Sequence, residues 1–314
     1  MRRAGLVLAA GAALIAAIVL AAAGVGERSG ALSDWQAFVL GVVQGFTELL
    51  PISSSGHLVI VPWLADWRYL EHHAAFNKTL DVALHLGTLV AVVAYFWHDL
   101  GRLIAAWFRS VSRRRVSTDD ERIAWYVIIA TIPAAIAGAA GEDFIEEKLG
   151  QPYQIAILLA VFAVVLWAAD RSPERRGMAG LTWKAALAVG LAQCLALAPG
   201  VSRSGITITA GRFLELTRDA AARFAFLLLV PIVFGAGVLK GVKDVALKGG
   251  LPSGSAGPFV VGMLAAAATG IVAISALLGY LRRNDYSIFV VYRLLAAAAI
   301  AALIVAGVRG AHFG

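Results

Sequence analysis

Long uncharged runs separated by short charged loops set the pattern of this chain. A helix needs roughly 20 apolar residues to cross a bilayer. Residues 4–26 carry no charge and follow Met1-Arg2-Arg3. Comparable runs cover 82–97, 123–141, 154–169, 224–239 and 259–281, interrupted only by His85. Residues 286–308 add another, broken by Arg293. The pattern predicts seven spans. The first reads as an N-terminal signal anchor, although small residues at Ala21, Ala22, Ala23 and Gly24 also allow a cleaved signal peptide. Residues 1–30 then form that segment, and 31–314 one polytopic membrane domain with halves at about 33–141 and 154–308.

Two apolar segments differ in kind. Residues 35–64 and 185–213 are each broken midway by Pro and a Ser/Gly cluster, and each holds a charge at membrane depth, Glu48 or Arg203. Neither half-segment is long enough to span comfortably, so each reads as a re-entrant helix pair. Irregular backbone at that depth is tolerated only under cover of protein or a wet cavity. Ser33-Asp34-Trp35-Gln36 opens the first pair with the spacing of a capping box.

Shifted by 149 residues, the two broken segments align without a gap: Gly41 on Gly190, Gln44 on Gln193, Ser53 on Ser202, Ser55 on Ser204, Gly56 on Gly205. Three spans separate the pairs, an odd number, so the second enters from the opposite side. The expectation is an all-α integral membrane protein with an inverted-topology repeat. In such folds broken helices meet near the midplane and aim their N-termini at an anion.

Composition agrees. Hydrophobic residues make up 60% and charged residues 15% of 314 positions; soluble domains run near 45–50% and about 25%. Soluble, disordered, coiled-coil and disulfide-scaffold classes are excluded, the last because Cys194 stands alone. The net charge of +7 would suggest nucleic acid in a soluble chain. Here the basic residues lie between the spans. With Arg2 and Arg3 in the cytoplasm, 17 Lys and Arg fall on the cytoplasmic side and 8 on the other, the bias that orients membrane proteins. The basic stretch 240–248 runs mildly against it. No nucleic-acid partner is implied, and a homo-oligomer is compatible with the sequence.

The chemistry concentrates at the two breaks. Gln44 and Glu48 share a helix face and offer oxygen ligands for a divalent cation, Mg²⁺ or Ca²⁺, that would bridge diphosphate oxygens. Arg203 can hold phosphate in a bidentate fork. The hydroxyls of Ser53, Ser55, Ser202, Ser204 and Thr207, with backbone N–H groups near Gly200, can complete a phosphate cradle. His57 suits proton transfer or nucleophilic attack, and Ser54 is a second candidate nucleophile; water is the third. The plain reading of Glu48 and Arg203 is a structural ion pair. His85, Asp81 and Arg293 read as structural groups, and His72-His73 as a solvated loop.

These motifs resemble the bacterial undecaprenyl-diphosphate phosphatase family, also known as bacitracin-resistance proteins. One family pattern, [E/Q]-x-x-x-E followed by P-x-S-S-[S/T]-G-H, is matched by Gln44, Glu48, Pro51, Ser53, Ser54, Ser55, Gly56 and His57. The other, P-G-x-S-R-S-x-x-T, is matched by Pro199, Gly200, Ser202, Arg203, Ser204 and Thr207. The similarity extends to 84–89, 221–231 and 288–293 and covers roughly 33–308. It implies hydrolysis of polyprenyl diphosphates to the monophosphate and inorganic phosphate, a divalent cation, an inner-membrane location and a site facing outward. It also implies functional roles for Glu48, His57, Arg203, Ser53 and Ser54. Gln44 stands where many members have Glu, and the segment to about residue 30 is additional. The rival class is a transporter or flippase for an anionic or lipid-phosphate substrate, since inverted repeats with broken helices also build carriers.

Overall fold

The computed structural model describes residues 32–67, 69–70, 73–141, 148–240 and 256–312. The first expected span, His72, the acidic residues Glu142, Asp143, Glu146 and Glu147, and Lys243 and Lys248 lie outside them. The described residues form α-helices joined by turns and short 3-10 segments. Helices α1 (Asp34–Leu49) and α2 (Ser54–Ala65) make the first broken segment, followed by α3 (Ala74–Tyr95), α4 (Trp97–Arg113) and α5 (Asp119–Ala140). Helix α6 (Pro152–Asp170) leads to the second, made of α7 (Trp183–Gln193) and α8 (Arg203–Phe213). Helices α9 (Arg218–Lys240), α10 (Ala256–Leu281) and α11 (Ser287–Val305) complete the chain. Six of them, α3, α5, α6, α9, α10 and α11, are long and apolar enough to cross a bilayer. They are the six spans expected after the first. This is an all-α, multi-pass membrane protein.

The broken segments fall short of a span for a simple reason. At 1.5 Å per residue, the 16 residues of α1 reach about 24 Å, less than the roughly 30 Å of hydrocarbon. The helix is nonetheless buried from Val39 through Leu49, as expected of one that is apolar nearly all round. Its start is fixed by the Ser33–Gln36 capping box, with both reciprocal bonds formed.

Packing exchanges the halves. Helix α10 lies along α1 and α3, while α5, from the first half, lies along α7 and α9 of the second. Glycines at equivalent positions permit both approaches. A Cβ on Gly41 would stand 2.3 Å from the Gly262 carbonyl oxygen, and one on Gly190 2.5 Å from that of Ala130. In both places the obstacle is backbone, which cannot swing aside. Gly190→Ala will therefore lower stability by about 1–3 kcal/mol, the usual range for overpacking. Gly279→Ala, with nothing within 4 Å of the new methyl, will not. Thermal unfolding of the two variants in detergent checks the contrast.

Helix α4 was not marked by the span pattern. Leu103, Ala106 and Ser110 face the protein. Trp97, Ile104 and Phe108 are exposed, and Arg102 and Arg109 occupy the opposite arc. An apolar stripe beside a basic face is the pattern of a helix lying along the membrane surface.

Candidate active site

The two breaks carry the same unusual backbone. Ser53 and Ser202, equivalent in the repeat, both have positive φ, 77° and 78°. Such a conformation in a non-glycine residue costs of order 1–3 kcal/mol and persists only where its surroundings fix it. Each serine caps the helix that follows, its Oγ accepting from the N–H of Gly56 or Gly205. The second break adds Gly200, at φ 105°.

Cross-links then fasten one break to the other. Gly200 donates its N–H to Ser53 Oγ at 3.0 Å, and Ser204 Oγ donates to the Leu50 carbonyl at 3.0 Å. Arg293, fully buried on α11, donates to the carbonyls of Pro51, Gly200 and Val201 and to those of Leu158 and Leu159. This satisfies the irregular backbone that would otherwise be unpaired at membrane depth. The structural role read for Arg293 is the one its bonds describe.

At this junction the N-termini of α2 and α8 bring Ser54 and Arg203 to Glu48, at the end of α1. Arg203 donates from Nε at 3.2 Å and Nη2 at 2.9 Å to Glu48 Oε1, and its Nη1 is held by the Ala225 carbonyl of α9 at 3.1 Å. Ser54 Oγ donates to Glu48 Oε2 in a short hydrogen bond. Gln44 Nε2 reaches the same oxygen at 3.3 Å. Glu48 is almost fully buried and Arg203 largely so, with side chains 3% and 12% exposed. An acid and a guanidinium from opposite halves thus meet, 155 residues apart in sequence.

The hydroxyls divide into two groups. Ser53, Ser202, Ser204 and Thr207 are engaged within the scaffold, Thr207 with the Arg203 and Ser204 carbonyls. Ser55 is half-buried, 3.5 Å from Ser53 Oγ. Ser54 alone among them points at the central carboxylate. His57 Nδ1 lies 2.6 Å from the Ser53 carbonyl and its Nε2 2.7 Å from the Tyr292 hydroxyl. A carbonyl only accepts, so Nδ1 carries a proton, and in the neutral ring Nε2 accepts from Tyr292.

Two participants escaped the sequence reading. Tyr292 holds His57. His85, read as structural, places Nε2 3.3 Å from Glu48 Oε2. The available signal was that His85 is the lone titratable interruption of an uncharged span, and such residues are costly in lipid.

Among the described residues no cluster of three or more His, Cys, Asp or Glu forms a ready metal site. The donors that could receive a cation are oxygens: Glu48 and, beside it, Gln44 Oε1, a buried acceptor with no partner. A hard divalent ion fits such a pair if diphosphate supplies further oxygens.

Comparison with known proteins identifies the family. The model of the family described as bacitracin resistance protein BacA matches residues 37–299. The chain is 49% identical over 272 residues to the undecaprenyl-diphosphatase of Thermomicrobium roseum, covering 84% of this chain and 95% of the relative. It is 46% identical to that of Geobacter sulfurreducens, covering 86% and 98%. With that of Pelotomaculum thermopropionicum the identity is 43%, over 87% and 97%. Both breaks, and every residue converging on Glu48, fall inside the matched region, and the chain belongs to the bacitracin resistance protein BacA family.

Proposed function

We infer that this protein is an undecaprenyl-diphosphate phosphatase, which hydrolyses the diphosphate to the monophosphate and inorganic phosphate and so recycles the lipid carrier of cell-wall precursors. The observation that carries the reading is the shared carboxylate: Glu48 accepts the Ser54 hydroxyl on one oxygen and the Arg203 fork on the other. A hydroxyl bonded to a buried base, beside a cation and two helix N-termini, is suited to phosphoryl transfer.

Ser54 Oγ attacks the terminal phosphorus while its proton passes to Glu48. The bond to the bridging oxygen breaks, and prenyl monophosphate leaves with that proton. Water then attacks the phosphoserine, again losing its proton to Glu48, and inorganic phosphate departs as Ser54 recovers its hydrogen. Arg203 and the N–H groups opening α2 and α8 offset charge on the transferring group. The hydrogen bonds favour Glu48 over His57 as the proton acceptor, because both ring nitrogens of His57 are held elsewhere. Glu48 and Gln44 Oε1 would hold the divalent cation, whose charge neutralises diphosphate oxygens when bound.

The excess of Lys and Arg on one side supports a threading with residues 2 and 3 in the cytoplasm, and the resemblance to the family implies a site open to the outer face of the cytoplasmic membrane. The prenyl tail stays in lipid.

Purified full-length protein in detergent, given polyprenyl diphosphate with Mg²⁺ or Ca²⁺, will release inorganic phosphate, and EDTA will suppress that release. A protein that moves its substrate without hydrolysing it would release none, and the carrier reading would replace this one.

A further inference from the structure

Glu48 receives more donors than its oxygens accommodate well. A carboxylate offers about four lone-pair sites, two on each oxygen. Oε1 takes both nitrogens of the Arg203 fork. Oε2 faces three groups: Ser54 Oγ in a short bond, and Gln44 Nε2 and His85 Nε2, each at 3.3 Å. One of the two long contacts is therefore the least firmly held.

Their surroundings distinguish them. Gln44 is fully buried within α1. The His85 side chain is 28% exposed, more open than Glu48 or Arg203. The ring is also oriented from behind: Nδ1 lies 2.7 Å from the Asp81 carbonyl one turn earlier on α3. A carbonyl can only accept, so Nδ1 carries hydrogen there. Facing a carboxylate, Nε2 carries one as well. His85 is thus a cationic donor, anchored on one side and free to change partner on the other.

We propose that His85 contacts the substrate, its Nε2–H moving from Glu48 Oε2 to an oxygen of the terminal phosphate when the diphosphate enters. The change leaves Ser54 and Glu48 in closer partnership and adds a third-helix donor to a cradle otherwise built from the two breaks. Sequence position hides this role, because α3 belongs to neither motif. The inference rests on the phosphatase reading for its choice of substrate, but contact with the anion can be measured without turnover.

The test compares His85→Gln, which keeps an N–H donor at similar reach, with His85→Phe, which keeps the bulk and loses the donor; His85→Leu is the reserve if Phe does not fold. All are made in the full-length protein and accepted only if monodisperse in detergent with an unfolding midpoint near that of wild type. His85→Phe will raise KM for polyprenyl diphosphate about tenfold or more, the size of one charge-assisted hydrogen bond, with a smaller fall in kcat. It will weaken binding of inorganic pyrophosphate, read by competition or calorimetry, by a similar factor. His85→Gln will stay within about threefold of wild type in both. Wild-type KM and pyrophosphate affinity in the folded Phe or Leu variant would overturn the proposal. So would equal losses in the Gln and Phe variants, since the donor would then not be what matters. Absence of phosphate release by the wild type defeats the phosphatase reading instead, and the pyrophosphate comparison still decides the contact.

Discussion

Ser54→Ala and Glu48→Gln will each reduce phosphate release by at least about 1000-fold, at the upper part of the range for a lost proton acceptor. Ser54→Ala removes the oxygen proposed to attack and leaves Glu48 its arginine. Glu48→Gln keeps the size of the side chain and an oxygen for Arg203, but cannot take the hydroxyl proton. If the two act as one unit, the double variant will be scarcely worse than either single one. If they act separately, the losses will multiply. Initial rates of phosphate release for the three variants read the difference directly. Glu48→Gln also leaves Arg203 without a counter-charge, and breaking a buried pair costs about 3–5 kcal/mol. Rates are therefore to be compared well below each variant's unfolding temperature. His57→Gln is the informative neighbour: its ring contacts Ser53 and Tyr292, so its effect reports on the scaffold of the first break.

The fold was legible where the chain must satisfy lipid. Every long uncharged run after residue 31 became a helix long and apolar enough to cross a bilayer, because in hydrocarbon a backbone has few other ways to pair its own polar groups. The Ser33–Gln36 cap was readable for a local reason, since its partners are three residues apart. The repeat was readable because its matches fall on residues that do specific work. Gly41 and Gly190 admit another backbone, and Ser53 and Ser202 cap at positive φ. Of the site, the meeting of Glu48 with Arg203 followed from inverting one broken segment against the other. What the motifs could not separate was which serines are free. Ser53, Ser54 and Ser55 are adjacent in sequence, yet one is engaged by Gly56 and Gly200 and the next by Glu48. That division depends on backbone dihedrals at the break. His85 and Tyr292 were hidden because their partners, Glu48 and His57, lie on other helices. Helix α4 was hidden because an amphipathic helix needs no long apolar run, only an apolar stripe.

Arg203→Ala will also lower phosphate release by at least about 1000-fold, and Arg203→Lys by about 100-fold, given that one transition-state donor is worth roughly 100–1000-fold. The gap measures the fork. Lysine restores the charge, but a single ammonium cannot hold the Ala225 carbonyl while presenting two coplanar N–H groups to an anion. Lys should therefore depress kcat more than it raises KM, because the planar contact matters most as charge spreads over the transferring phosphoryl oxygens. The plain alternative, a structural ion pair, makes a different prediction about joint replacement. Removing one partner of a buried pair is costly, whereas replacing both with apolar residues of similar size is often neutral or stabilising. The double variant Glu48→Met with Arg203→Met should thus fold and insert at least as well as either single variant. If the pair served structure alone, that protein would recover turnover along with stability. If Glu48 takes the Ser54 proton and Arg203 holds the phosphate, as proposed, it will be a stable membrane protein that releases no phosphate.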